Sequence, residues 1–369
     1  MTTQPAVLAR TPPMGWNSWN TFRCYELNEQ VVVETADAMV ASGMRDAGYE
    51  YVVVDDCWQA FRRGDDGRLR SHPERFPSGM AALAEEIHAR GLKFGLYLSP
   101  GRRTCAMIYD RYPGEQLGSF GRETLDADTL AEWGVDYLKY DWCRADSGRT
   151  RLEERSAFAA MADTLHRTGR PIVYSISEYG RSRPWEWAPG VAHLWRTTGD
   201  IAPSWRSVMS IVDRQHGLAG YARPGAWNDP DMLEVGNPGL NDIESRSHLM
   251  LWAMLAAPLM AGNDVRSMPE STRALLTDPG ILSIAQDAAG AAGERIDRIG
   301  KVELWRRPLS EGCAIGVLNR GRSRSRVPER VQRHLVGVIT GAVDVTTGQT
   351  DRFDLVLAPH EMRLWRVPA

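Results

Sequence analysis

Over the first 288 residues of this 369-residue chain, short apolar runs alternate with segments of helical period, and no other feature restricts the fold as much. Runs at 51–54, 93–98, 135–140 and 171–175 stand out. Fainter ones follow at 193–198, 225–228 and 259–262, and an eighth lies at Met14-Gly15-Trp16. Between them fall helical patterns at 28–43, with Asn28 as N-cap, and at 80–90, 124–133, 151–167 and 244–255. Strands alternating with helices imply a parallel sheet joined by crossover helices. Eight such units predict a closed (β/α)8 TIM barrel, catalytic in character, over residues 1–288. An open doubly wound sheet is the alternative, but it carries an early glycine-rich phosphate turn and none follows the first strand. From residue 289 the pattern changes to strand-like runs without helices between them, at 302–306, 313–318, 335–339, 353–357 and 362–367. That predicts a C-terminal antiparallel β-sandwich domain over residues 289–369.

A barrel of this kind places its active site at the C-terminal ends of the strands. Acids stand there repeatedly: Asp55 and Asp56, Asp141, Glu178, Asp200, Asp229 with Asp231, and Asp264. One acid at a strand end is ordinarily an N-cap or a solvated loop residue; six strands ending in acids point to chemistry. Two carboxylates flanking a bond are the minimum for glycoside hydrolysis, and further carboxylates suit a polyhydroxyl ligand because each accepts from sugar hydroxyls. Lys139 and Asp141 share a strand face, so the cation should hold Asp141 ionised. Arg196 precedes Asp200 and is placed to orient it. Acid clusters at barrel mouths also bind divalent ions. However, the eight His include no His-x-His or His-x-x-x-His pair, and the acids interleave with Trp16, Trp58, Tyr97 and Trp142, which suit a sugar ring better. No metal and no cofactor is expected.

A net charge of −3 gives no reason to expect nucleic acid or an acidic membrane surface as partner, and the basic run Arg320 to Arg326, interspersed with Gly and Ser, reads as a solvated loop. No apolar stretch approaches the ~18 residues of a membrane span. The start of the chain shows no basic segment followed by an apolar run, so the expectation is a cytoplasmic protein as written, or an extracellular one if a leader was removed. Five Cys without a C-x-x-C pair argue against zinc. No oligomeric interface can be read from the sequence.

The chain resembles glycoside hydrolase family 27, the α-galactosidase and α-N-acetylgalactosaminidase family. The matching segments are Pro13-Met14-Gly15-Trp16-Asn17-Ser18-Trp19, Asp55-Asp56-Cys57-Trp58, Tyr137-Leu138-Lys139-Tyr140-Asp141, Trp195-Arg196-Thr197-Thr198-Gly199-Asp200-Ile201 and Trp227-Asn228-Asp229-Pro230-Asp231-Met232-Leu233. The resemblance implies Asp141 as nucleophile and Asp200 as acid/base of a retaining exo-glycosidase acting on a galactose-containing oligosaccharide or glycoside. It also implies that Trp16, Asp55 and Asp56 hold the O4 and O6 side of the sugar, that Tyr97 and Lys139 line the pocket, and that Arg196 and Asp231 face O2 and O3. Glu178 stands where similar enzymes read a 2-hydroxyl, which favours galactose over N-acetylgalactosamine. Cys24 with Cys57, and Cys105 with Cys143, occupy positions that are disulfide-bonded in similar enzymes; Cys313 reads as a buried thiol. Three departures, Ser177 for Cys, Tyr179 for Trp and Leu98-Ser99-Pro100 for Ser-Asp-Ala, border the expected pocket. A β-L-arabinopyranosidase, an α-N-acetylgalactosaminidase and an isomaltose-releasing glucanase are the alternatives within the family. A non-catalytic sugar-binding barrel is the alternative from another class; it would be free to lose Asp141 or Asp200.

Overall fold

The structure, a computed structural model, describes residues 8–147, 152–336, 342–348 and 356–369. Eight parallel strands form one sheet: β1 (Met14–Asn17), β2 (Tyr51–Val54), β3 (Lys93–Leu98), β4 (Tyr137–Asp141), β5 (Val173–Ser177), β6 (Leu194–Arg196), β7 (Trp227–Asp229) and β8 (Leu259–Ala261). They pair in chain order from β1 to β7, with β8 beside β1. The ring closes through Leu233 alone. Its N–H donates to the Met260 carbonyl (2.8 Å), its carbonyl accepts from Gly262 N–H (3.1 Å), and it bridges Ala261. Residues 230–232, between β7 and this bridge, bulge into the mouth, and Asp231 takes a φ of 99°.

Period-two alternation decides what each strand presents to the barrel centre. Val52 and Val54 pack outward under the helices, whereas Tyr51, Val53, Tyr137, Val173, Leu194 and Met260 form an inner cluster. A Cβ on Gly95 would lie 2.8 Å from Val53 Cγ2 and 3.1 Å from Tyr137 Cβ, so the centre has room only for glycine there. Two residues beyond the inner apolar layer the same parity delivers Asp55, Lys139 with Asp141, and Arg196 to the mouth. Seven of the thirteen Trp go to packing: Trp16, Trp58, Trp142, Trp195, Trp227, Trp252 and Trp365 are all below 2% exposed.

The helix Glu29–Ala41 starts where expected, with the Asn28 side chain accepting from Val31 N–H at 3.0 Å. The helix Asp242–Met254 is buried from Ser247 to Met254 because it lies between the barrel and the C-terminal sheet. That sheet has the order β13 (Val343–Asp344), β15 (Met362–Val367), β11 (Cys313–Asn319), β10 (Val302–Pro308), β9 (Glu294–Ile299). A two-stranded ribbon, β12 (Ser325–Arg326) with β14 (Val356–Leu357), accompanies it. Leu304, Ile315, Val317 and Trp365 of the sheet share one cluster with Val327, Val331 and Leu357.

The C-terminal domain differs from the sequence reading in two elements, the unexpected strand β9 and a helix. A helix, Glu329–Val336, occupies the start of the strand-like run 335–339, so a helix does stand between the C-terminal strands; residues 337–339 lie outside the described residues. Pro328 explains the start: its carbonyl accepts from Gln332 N–H (3.0 Å), and its missing N–H costs nothing in a first turn. Of the run 353–357, only Val356–Leu357 is described. Among the described residues no helix is long and apolar enough to cross a membrane.

Candidate active site

At the C-terminal mouth of the barrel is a pocket of about 230 Å³. Asp55, Asp56, Tyr97, Lys139, Asp141, Arg196 and Asp231 line it, all but Lys139 nearly closed off from solvent. Its rim is open: Arg23, Tyr109 and Asp200 line it with side chains 55% exposed, 59% exposed as a residue, and 73% exposed, respectively. A buried polar base and an exposed rim make a dead end for one small polar molecule.

Charge is distributed across the base in three local units. Lys139 Nζ donates to Asp55 Oδ2 at 2.7 Å, and Asn17 donates to the same oxygen at 2.8 Å. Arg196 Nη2 lies 3.0 Å from both Asp200 and Asp231, and Asp231 also accepts from Ile201 N–H at 2.7 Å. Asp141 Oδ1 accepts from the Tyr179 hydroxyl at 2.5 Å. Lys139 was expected to sustain Asp141 directly. Its ion pair instead goes to Asp55, and it acts on Asp141 through space.

Burial pushes the Asp141 carboxyl up to about 6, against the pull of Lys139 and the Tyr179 hydrogen bond. Burial likewise raises Asp231 to about 6 and Asp56 to about 7. Asp200 goes the other way. Desolvation by the surrounding pocket wall works to raise it even at the open rim, but Arg196 in contact and Lys139 nearby hold it below the usual carboxylate range. An acid/base that starts its cycle protonated would titrate above its partner; the guanidinium beside Asp200 reverses that order in the empty site.

Two helix amides and two disulfides fix the walls. Ala106 N–H donates to Asp56 Oδ2 (2.7 Å) and Cys105 N–H to the Tyr97 hydroxyl (3.1 Å). Cys105–Cys143 ties that helix to the end of β4, and Cys24–Cys57 ties the Arg23 loop to the residue after Asp56. Both pairings are those the resemblance implied, and Cys313 is free and buried. Among the described residues, the one cluster of potential metal ligands is Cys105, Asp141 and Cys143, and its two sulfurs are bonded to each other.

Two residues expected in the pocket stand elsewhere. Trp16 is fully buried on the outward face of β1, its indole N–H on the Asn263 carbonyl (2.9 Å). Trp19 takes the place on the pocket wall. The Glu178 carboxylate turns into its own loop, where Oε2 accepts from Ser182 N–H (2.6 Å), and Tyr179 lines the pocket instead. Of the three departures only Tyr179 borders the main pocket. Ser177 lines a small cavity beneath it, and Leu98 and Ser99 are buried behind it. Strand alternation finds neither residue, because Trp19 opens the helix Trp19–Phe22 and Tyr179 sits in a turn at φ 65°; the signal they give is an aromatic side chain just past the end of a barrel strand.

A closed β/α barrel with paired carboxylates over a single-sugar pocket is the build of a barrel glycosidase. The family model described as alpha galactosidase A matches residues 11–287. A curated alpha-galactosidase A from Cellvibrio japonicus is 47% identical over 325 residues, covering 85% of this chain and 77% of that protein. An alpha-N-acetylgalactosaminidase from Gallus gallus is 40% identical over 392 residues, covering 97% and 93%. The crystal structure of alpha-galactosidase I from Mortierella vinacea is 32% identical and matches with a TM-score of 0.87, over 99% of this chain and 98% of that one. The chain belongs to this family, glycoside hydrolase family 27, and is a glycoside hydrolase.

Proposed function

We propose that this chain is an α-galactosidase that removes terminal α-D-galactosyl residues by double displacement. The observation that carries the reading is the meeting of Asp141 and Asp200 in one dead-end pocket whose base is otherwise Asp55, Lys139, Arg196 and Asp231. Asp141, at the buried end, attacks the anomeric carbon. Asp200, at the open rim where the leaving group departs, protonates the glycosidic oxygen. Asp200 then takes a proton from water, which releases the sugar from Asp141 with retained configuration. The Asp55–Lys139 pair and Asp56 offer both acceptors and a cation to hydroxyls on one side of the ring, and Arg196 with Asp231 does the same on the other. Developing positive charge on the ring meets a base rich in carboxylates.

The family contains relatives named for either sugar, and several alpha-galactosidases at 40–47% identity over most of the chain support galactose. Local shape favours galactose. Tyr179 lies against Arg196, whose guanidinium is 5.7 Å from the ring centroid, and fills the side of the pocket assigned to the 2-position. An acetamido group needs that volume.

Initial rates on p-nitrophenyl α-galactoside, α-N-acetylgalactosaminide, β-L-arabinopyranoside and α-glucoside test the reading, with NMR identifying the first anomer released. A preference for α-galactoside with α-galactose released first is expected. A higher kcat/KM on any other member, or β-galactose as first product, overturns it.

A further inference from the structure

We propose that Tyr179 is the positioning residue of Asp141 in this chain: its hydroxyl fixes Oδ1 of the carboxylate and leaves Oδ2 to attack. The inference rests on Asp141 being the nucleophile. Among the described residues, the Tyr179 hydroxyl is the hydrogen-bond donor that reaches Asp141, at 2.5 Å, since the nearest cation, Lys139, is engaged by Asp55 at 2.7 Å.

The loop after β5 is built to hold the phenol there. Tyr179 sits at φ 65°, a conformation side chains seldom adopt without support. Gly180 follows at φ 75°, and a Cβ on it would lie 2.2 Å from the Thr197 carbonyl, so this turn is pressed against the end of β6. Glu178 closes the turn from the other side through Ser182 N–H at 2.6 Å. The Arg196 guanidinium covers the Tyr179 ring, which limits the side chain to one direction. Burial, followed by the charge of Asp141, holds the phenol far above its ordinary pKa, so it remains a donor at every working pH.

The consequence is chemical and not only steric. A hydrogen bond to a carboxylate stabilises its charged form. It therefore makes Asp141 easier to ionise before attack and a better leaving group when water breaks the glycosyl ester. No proton moves from Tyr179 in either step. Removing the hydroxyl should slow the second step most, so the ester accumulates and kcat and KM fall together. In kcat/KM, which reports the free enzyme, the limb that belongs to Asp141 should move to higher pH, because the charged form has lost a donor.

The experiment compares wild type with Tyr179→Phe on p-nitrophenyl α-galactoside, where a good leaving group makes the second step limiting. Wild type is measured first: no hydrolysis of any member of the panel would sink the functional reading and not this one. With wild type active, kcat for Tyr179→Phe should drop ~10- to 100-fold, as for loss of one charge-assisted hydrogen bond. KM should fall with it, the Asp141 limb should move up in pH, and thermal stability should be kept. Unchanged kcat and limb would overturn the proposal. So would a loss of kcat with the limb unmoved, which is the behaviour of a wall residue. Tyr179→Trp keeps an aromatic wall but places no hydroxyl on Oδ1; it is read by the same criteria and serves if the Phe variant does not fold.

Discussion

Glu303 in the C-terminal sheet and Asp141 in the barrel mouth are both carboxylates withdrawn from water, at 0% and 5% exposure. Glu303 accepts from Arg295 and Arg320, each at 2.8 Å, and from the Trp305 indole at 3.1 Å. Asp344 in the same sheet holds Arg363 and caps Thr346 and Thr347. These groups have reached the state a buried charge requires, with every partner supplied by the chain. Asp141 has one phenol, and burial leaves its carboxyl near 6. Asp56 and Asp231 are similarly raised by burial. The mouth of the barrel buries acids, supplies Asp55, Asp56 and Asp231 with donors, and leaves Asp141 with one, and that deficit is what a polyhydroxyl ligand fills. Charge in the sheet is structural; charge in the pocket is held ready for a ligand.

Substituting one residue from each region breaks the comparison most sharply. Asp141→Asn should lower kcat by about 10⁴-fold or more, as loss of a nucleophile does. Its thermal stability should be equal to wild type or slightly higher, because one crowded carboxylate is relieved. Glu303→Gln should do the reverse. Breaking a buried ion network costs about 3 kcal/mol, with kcat unchanged. Thermal melts and initial rates on both variants check this. A stable and inactive Glu303→Gln, or an unstable Asp141→Asn, would erase the distinction.

The next effect concerns the order of the two carboxyls. The reactive form carries its charge on Asp141 and its proton on Asp200. Burial holds Asp141 up at about 6, whereas Asp200 lies below the usual carboxylate range, because Arg196 at 3.0 Å outweighs the desolvation of a carboxylate that still reaches solvent. That form is most populated between the two values, so kcat/KM should peak on the acid side of pH 6 and decline above it. A profile flat from pH 5 to 8 would contradict the assignment. Asp200→Asn should lose about 10²- to 10⁴-fold on substrates with poor leaving groups and far less of its first step on activated aryl glycosides, which depart without a proton.

How much of this was legible in the sequence depends on how local the cause is. The stronger barrel strands carry apolar runs, and β2 and β3 begin and end where the runs do. β9 was not read because its residues, Glu294-Arg295-Ile296-Asp297-Arg298-Ile299, carry charge on an edge strand, where charge guards against pairing with another chain. The helix Glu329–Val336 was hidden by an apolar end that resembles a strand. Closure through Leu233 was out of reach, since it depends on a bulge that only the meeting of β7 and β8 defines. The acids were found because their type and place are local. Their partners were found only where the pairing is local: Arg196 was expected beside Asp200, four residues on, whereas Lys139 with Asp55 and Arg196 with Asp231 are pairings between different strands of the barrel.

The smallest predicted effect tests the parity argument that separates pocket from core. Asn17 faces inward and reaches Asp55, so Trp16 must face the helices, and Trp19, which opens the helix Trp19–Phe22 just past the strand, is the indole that lines the pocket. The motif alone does not distinguish the two indoles; strand geometry does. Trp19→Ala should raise KM for the galactoside about 2- to 10-fold, the worth of one aromatic contact, with little change in melting, because Trp19 is only partly buried. Trp16→Phe should leave KM alone and cost about 1–3 kcal/mol of stability through the lost bond to the Asn263 carbonyl and the smaller ring. If KM instead follows Trp16 and melting follows Trp19, the inward face of β1 has been assigned to the wrong residues, and the orientation of Asn17 and Asp55 at the pocket base is wrong with it.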